Sequence, residues 1–194
     1  MRKFIKIIMG KEIERKFLVR SDKFIEDAAI AAGITLCSKE TAGKKYRQGY
    51  IPTLNGMTVR IRIAGDKGFI TMKDKAVNFS RHEYEYEIPL KDAEEMIDIM
   101  CVKPLIEKRR YVIPTTSHDG QPLHWEVDVF EGDNKGLTVA EIELPSEETL
   151  FDLPEWIGTE VTGQKQYYNS HLINNPYKNW KQDQSTPLLD GNSK

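Results

Sequence analysis

Along most of this chain, apolar and charged residues alternate strictly. In residues 57–64, Val59, Ile61 and Ile63 stand against Arg60 and Arg62. In residues 81–88, Tyr84, Tyr86 and Ile88 stand against Glu83, Glu85 and Glu87. Residues 122–130 set Trp125, Val127 and Val129 against Glu126 and Asp128, and residues 137–144 set Ile142 and Leu144 against Glu141 and Glu143. In residues 11–19, Glu12, Glu14 and Lys16 share one parity while Ile13, Arg15 and Phe17 share the other. A period of two places alternate side chains on opposite faces of a strand. Shorter strands are predicted at 45–51, 69–74 and 105–113. Asn55-Gly56, Gly65 to Gly68, Asp119-Gly120 and Gly132 to Gly136 carry the turn signals that would link strands as meanders. Helices are predicted after Ser21-Asp22 (Phe24, Ala28, Ile30, Ala31, ending at Gly33), over 91–101 with Ala93, Met96, Ile97 and Met100 on one face, and over 164–173. About eight antiparallel strands with a few helices define an α+β chain, and eight strands can close into a barrel.

An ordinary half-exposed sheet would turn its apolar face inward and its polar face to water. Such faces usually mix Ser, Thr, Gln, Lys and Glu. Here the polar positions are nearly all charged, and the sign is often shared within a strand. Like charges at neighbouring positions cost stability unless something bound compensates them. Divalent cations would compensate the acids, and phosphates the paired bases Arg60/Arg62 and Lys108/Arg110. The expected arrangement is therefore inverted, with charged faces lining a lumen and apolar faces packed outward under helices.

Bulk properties narrow the classes. A chain of 194 residues suits one domain. Charged residues reach 30%, yet net charge is only −2, which argues against a general nucleic-acid or membrane-surface binder. Cys37 and Cys101 show no metal spacing, and reduced thiols in a cytoplasmic protein are expected. The basic, interrupted start (Met1 to Gly10) is too short for a signal-peptide core, and Met9 is an alternative initiator. His82, His118, His124 and His171 are scattered and read as surface or structural residues. Trp125, Trp156 and Trp180 read as packing under helices.

The ordered motifs resemble the CYTH superfamily, the triphosphate tunnel metalloenzymes. They begin with Glu12-Ile13-Glu14-Arg15-Lys16 and continue through Gln48 to Ile51, Val59 to Arg62, Thr71 to Lys73 and Arg81 to Tyr86. Lys108 to Tyr111, Trp125 to Gly132, Ala140 to Leu144 and Gly158 to Gly163 follow, then Lys165 and Tyr167 to Ser170. The resemblance implies an eight-stranded antiparallel tunnel, the domain taken as 10–177; residues 1–9 read as an N-terminal extension, and the polar composition of 178–194 predicts a disordered tail. It implies Mg²⁺ or Mn²⁺ held by Glu12, Glu14 and Glu143, with Asp128, Glu126 and Glu141 nearby. It implies phosphate contacts from Lys16, Arg60, Arg62, Lys73, Arg81, Lys108, Arg110 and Lys165, with Glu83 and Glu85 supporting the bases. Glu12, Glu14, Lys16, Asp128 and Glu143 would carry the catalysis.

Within that family the Glu-Ile-Glu-Arg-Lys-Phe-Leu-Val string is most similar to short bacterial tripolyphosphatases. Class IV-type adenylate cyclases carry a His-Phe pair shortly before the acidic motif, which is missing here. Thiamine or nucleoside triphosphatase activity and a non-catalytic polyphosphate-binding module stand as alternatives. No base-binding pocket is expected, because the aromatics read as outward-facing. The expected partner is a small-molecule triphosphate, with no nucleic acid or membrane, for a monomer or homodimer.

Overall fold

The computed structural model describes residues 13–33, 43–54, 56–74 and 82–180. Among the described residues nine strands and three short α-helices follow one another in this order: β1 (Ile13–Val19), α1 (Phe24–Ala31), β2 (Lys44–Ile51), β3 (Thr58–Ala64), β4 (Lys67–Lys73), β5 (Glu83–Ile88), α2 (Leu90–Ile99), β6 (Ile106–Thr116), β7 (Pro122–Phe130), β8 (Thr138–Leu144), β9 (Ile157–Glu160) and α3 (Asn169–Leu172). They form one sheet in the order β5-β4-β3-β2-β6-β7-β8-β1-β9, and every pairing is antiparallel.

This is the expected antiparallel architecture with two differences. A ninth strand is present, and β5 and β9 are the two ends of the sheet among the described residues, so the hydrogen-bonded ladder does not close on itself. The sheet nevertheless curls, because side chains from β1 through β8 line a common cavity.

The apolar faces lie outward, under the helices. Phe17, Tyr111, Trp125, Val127, Ile142 and Trp156 pack with Phe24, Ile25 and Ala28 of α1. The aromatic rings there meet edge to face, with Phe17 to Trp125 at 5.6 Å and Trp125 to Trp156 at 5.6 Å. Trp156 also donates its indole N–H to Asp27 of α1 at 2.8 Å. On the other half, Ile61, Ile70 and Ile88 pack against Ala93 and Ile97 of α2. The β3–β4 hairpin turns in two residues, with Gly65 at φ 63, a left-handed value that glycine adopts without strain.

Close approach of α2 depends on another glycine. A Cβ built at Gly68 would stand 2.6 Å from the Cβ of Ala93 and 3.1 Å from the carbonyl oxygen of Ile88. Gly68→Ala is therefore expected to destabilise the fold by about 1–3 kcal/mol through forced displacement of α2. A urea unfolding midpoint unchanged from wild type would contradict this packing.

Three local expectations are corrected. The N-cap of α1 is Lys23, with no side-chain cap hydrogen bond, rather than a Ser21-Asp22 cap. The helix expected over 164–173 is a 3-10 turn at Lys165–Tyr167 followed by the single-turn α3. Strand β6 runs past its predicted end to Thr116, carrying Pro114 within it. Beyond α3, a further 3-10 turn spans Tyr177–Asn179, and Trp180 stacks edge-on against Tyr177 and Tyr167.

One end of the curl is filled. Leu18, Ile106, Phe130 and Val139 share the inward parity of Lys16, Lys108, Asp128 and Glu141, but they are apolar. They pack with Leu172, Ile173, Tyr177 and Trp180 from the C-terminal segment. Lys108 marks the boundary, its ammonium 5.7 Å from the Phe130 ring centroid.

Among the described residues no helix is long and apolar enough to cross a membrane. Cys101 is a buried free thiol, and its pKa is raised by burial. Cys37 lies outside the described residues.

Candidate active site

The cavity holds about 660 Å³ and is walled by the inward faces of the strands. Twelve of the predicted residues reach it: Glu14, Lys16, Arg60, Arg62, Lys73, Glu83, Glu85, Lys108, Arg110, Glu126, Glu141 and Glu143. Register brings them together. Arg60 pairs across to Thr71 and Lys73 to Glu83, while Arg110 pairs to Asp128 and Lys16 to Glu141.

On the wall formed by β3, β4 and β5, Glu85 sits under two arginines. Its carboxylate accepts from Arg62 at 2.8 Å, from Arg60 at 3.2 Å and from the Thr71 hydroxyl at 2.7 Å. Burial pushes the Glu85 carboxyl up, but the Thr71 hydroxyl and both guanidiniums outweigh it, and the net direction is down. Lys73 meets Glu83 at 2.7 Å. The Nε–H groups of Arg60 and Arg62 are buried donors with no hydrogen-bond partner among the described residues. Unmatched buried donors are costly, and a phosphate oxygen would satisfy them.

The opposite wall is richer in acid. Glu14 of β1 faces Glu143 of β8 directly across the ladder, and Glu126 of β7 faces Glu141 of β8. Lys16 lies beside this set, with its ammonium 2.7 Å from Glu141 and 3.4 Å from Glu14. Burial lowers its pKa, but the two glutamates more than reverse that, so Lys16 is held above the ordinary lysine value. Its ammonium also stands over the Tyr168 ring, at 4.8 Å. The backbone N–H of Lys16 donates to the Thr162 hydroxyl at 3.0 Å, and its carbonyl accepts from Val161 at 2.8 Å. Arg15, on the outer face, grips Glu160 of β9 with two hydrogen bonds of 2.9 and 2.6 Å.

Asp128 lies beneath the wall, 1% exposed, rather than on the cavity surface. One carboxylate oxygen accepts from Arg110 Nε at 2.7 Å, and the other accepts from Arg110 Nη2 at 2.6 Å and also pairs with Lys108. Burial opposes its charge, but the two cations and their hydrogen bonds hold its pKa below the usual carboxylate range. Arg110 further contacts Glu126 and, at 3.7 Å, Glu141. Lys165 is exposed on its 3-10 turn, away from the cavity lining. Glu12 and Arg81 lie outside the described residues.

The site also contains residues that charge alternation did not mark. Tyr46, Gln48 and Tyr50 of β2 face the cavity, as do Thr162, Gly163, Tyr168, Asn169 and Ser170 from the C-terminal segment. This corrects the expectation that aromatics face only outward. The signal was present in β2 as the alternation of Tyr46, Gln48 and Tyr50, but uncharged polar residues do not stand out in a charge pattern. Gln48 is 1% exposed and donates to the Tyr50 hydroxyl at 3.2 Å, while burial pushes that hydroxyl's pKa up.

The acidic wall fits a hard divalent cation by donor chemistry. Its donor groups are all carboxylates, and the directly opposed glutamate pairs carry like charges that a divalent cation would compensate. Among the described residues no three acidic, histidine or cysteine groups already converge as a finished metal cage. Glu14, Glu126 and Glu141 are instead turned toward bases. Phosphate on the bases and cations on the acids would exchange one set of ion pairs for another.

An antiparallel sheet curled around opposed acids and bases is the arrangement of a protein that handles polyanions in its lumen. Comparison with known proteins makes this specific: the CYTH domain family matches residues 10–172, and the chain belongs to that family. The inorganic triphosphatase of Acetivibrio thermocellus is 46% identical over 174 residues, 90% of this chain and 100% of that one. The inorganic triphosphatase of Nitrosomonas europaea is 35% identical over 166 residues, 83% of this chain and 95% of that one. A crystal structure of an inorganic triphosphatase superposes with a TM-score of 0.56 at 32% identity, covering 85% of this chain and 95% of its own.

Proposed function

We propose that this chain is a metal-dependent hydrolase that cleaves the terminal phosphate from inorganic triphosphate. The observation that carries the reading is the convergence of six cations (Lys16, Arg60, Arg62, Lys73, Lys108, Arg110) on a cavity that also holds opposed glutamate pairs. The 46% identity to an inorganic triphosphatase supports the choice of substrate.

A triphosphate carries about four negative charges, and phosphoryl transfer is catalysed mainly by positioning and charge neutralisation. Arg60, Arg62 and Lys73 bind one end of the chain of phosphates from the β3–β4 wall. Lys108 and Arg110, braced by Asp128, bind it from β6. Lys16 places a cation beside the acidic wall, where the reacting phosphate lies. Glu14, Glu126, Glu141 and Glu143 would hold Mg²⁺ or Mn²⁺, with Glu12 from the start of the same motif. The ion supplies charge neutralisation at the phosphate oxygens and an acidified water. Asp128, with both oxygens engaged by Lys108 and Arg110, serves as a brace for the bases and not as the proton acceptor. The same reading keeps the tunnel domain at 10–177 and places the protein in the cytoplasm, as a monomer or homodimer.

The test is phosphate release from tripolyphosphate, ATP and thiamine triphosphate, each with Mg²⁺, Mn²⁺ or EDTA. Strong release from tripolyphosphate that EDTA abolishes is expected. Preferential release from an organic triphosphate would move the assignment to that substrate, and no release would overturn hydrolysis. Glu14→Gln removes one charge from the acidic wall and should lower kcat by about 10²-fold or more. Full activity in that variant would remove Glu14 from the metal site.

A further inference from the structure

We propose that Tyr46 is a positioning residue whose ring holds the guanidiniums of Arg62 and Arg110 in register across the cavity wall. The proposal rests on the triphosphatase reading and adds to it an uncharged residue of the cavity wall. Strand β2 lies between β3 and β6, and Tyr46 pairs with Ala64 on one side and Lys108 on the other. From there its ring reaches both neighbours: the centroid is 5.8 Å from Arg62 Cζ and 5.4 Å from Arg110 Cζ. Both distances lie within the range, about 6 Å, over which an aromatic face attracts a cation.

The geometry also says which arginine depends on the ring more. Arg110 is fixed independently by Asp128 and Glu126. Arg62 has one carboxylate partner, Glu85, and an unpartnered Nε–H among the described residues. Burial and the charge of nearby Arg60 both lower the Arg62 pKa, so its cation is the less stabilised of the two. Phe69 supports it from β4 at 5.2 Å, so Arg62 stands among aromatic faces that restrict where its fork can point. When phosphate draws the guanidiniums away from their carboxylates, Tyr46 still keeps them apart and aimed. The attraction belongs to the π face, so the phenol hydroxyl is dispensable.

The experiment is steady-state hydrolysis of tripolyphosphate by wild type, Tyr46→Phe and Tyr46→Leu. Tyr46→Phe should stay within about twofold of wild type, and Tyr46→Leu should raise KM about tenfold with kcat changed less than about threefold. Tyr46→Met refills the space without a ring and gives the same reading if the leucine variant does not fold. An unchanged KM in the ringless variants overturns the proposal. So does an equal loss in Tyr46→Phe, which would assign the effect to the hydroxyl, or a loss confined to kcat, which would indicate general structural damage. If wild type hydrolyses tripolyphosphate and only the variant prediction fails, the triphosphatase reading stands without this addition. If wild type does not hydrolyse it, both fall.

Discussion

Lys16→Met is expected to lower kcat/KM for tripolyphosphate by about 10²–10³-fold, the usual effect of deleting one preorganised charge stabiliser. Lys16 is 5% exposed, so its ammonium acts where water screens little. It is also fixed from every side: by Glu141 and Glu14, by the Tyr168 ring, and by backbone bonds to Thr162 and Val161. Methionine keeps the length of the stem and removes only the charge. The fold should survive, because Glu141 keeps its contact with Arg110 and remains partly exposed. Steady-state kinetics alongside a urea unfolding curve check this. A variant with near-wild-type kcat/KM would take Lys16 out of the catalytic set.

The largest loss of stability is expected from Asp128→Ala. The substitution leaves Lys108, 3% exposed, and Arg110 without their shared buried counter-ion. Stranding a buried cation typically costs about 3–5 kcal/mol. Asp128→Asn should cost less, because the amide oxygen still accepts one hydrogen bond. Chemical denaturation measures both, and a difference from wild type under about 1 kcal/mol for the alanine variant would contradict the burial of this pair.

The same group sets an acid limit. The folded-state pKa of Asp128 is depressed, so the unfolded chain takes up its proton first as pH falls. The stabilisation is fully present above the ordinary aspartate value of about 3.9 and is lost as pH drops through the lower folded value. Glu85 titrates in the same direction. Unfolding free energy measured from neutral pH downward should hold level and then fall below about pH 4, more shallowly in Asp128→Asn.

Much of this was legible in the sequence because the lumen is written in charge. In β1, β3, β5, β7 and β8 the positions that reach the cavity are mostly Glu, Lys or Arg, and the outward positions are mostly apolar, Arg15 being an outward exception. Parity alone therefore assigned Glu14, Arg60, Arg62, Glu83, Glu126 and Glu141 to one surface. Where inward positions lack charge, the reading failed. Tyr46, Gln48 and Tyr50 line the cavity without a sign to announce them. Strand β9 has only four residues and is held by pairing to β1, a long-range contact with no local periodicity. The C-terminal turn has helical spacing in sequence, but it breaks into a 3-10 turn and a single helical turn as it docks Leu172 into the apolar end. Nor could sequence show that both Asp128 oxygens are occupied, because that depends on how two neighbouring side chains divide one carboxylate.

The apolar packing of Leu18, Ile106, Phe130 and Val139 beneath Leu172 and Trp180 has a consequence for traffic. Among the described residues that end of the lumen offers a phosphate chain only apolar side chains, with no charge to replace its water. The charged groups lie on the other side of Lys108, so a polyanion is drawn to that part of the lumen and away from the apolar end.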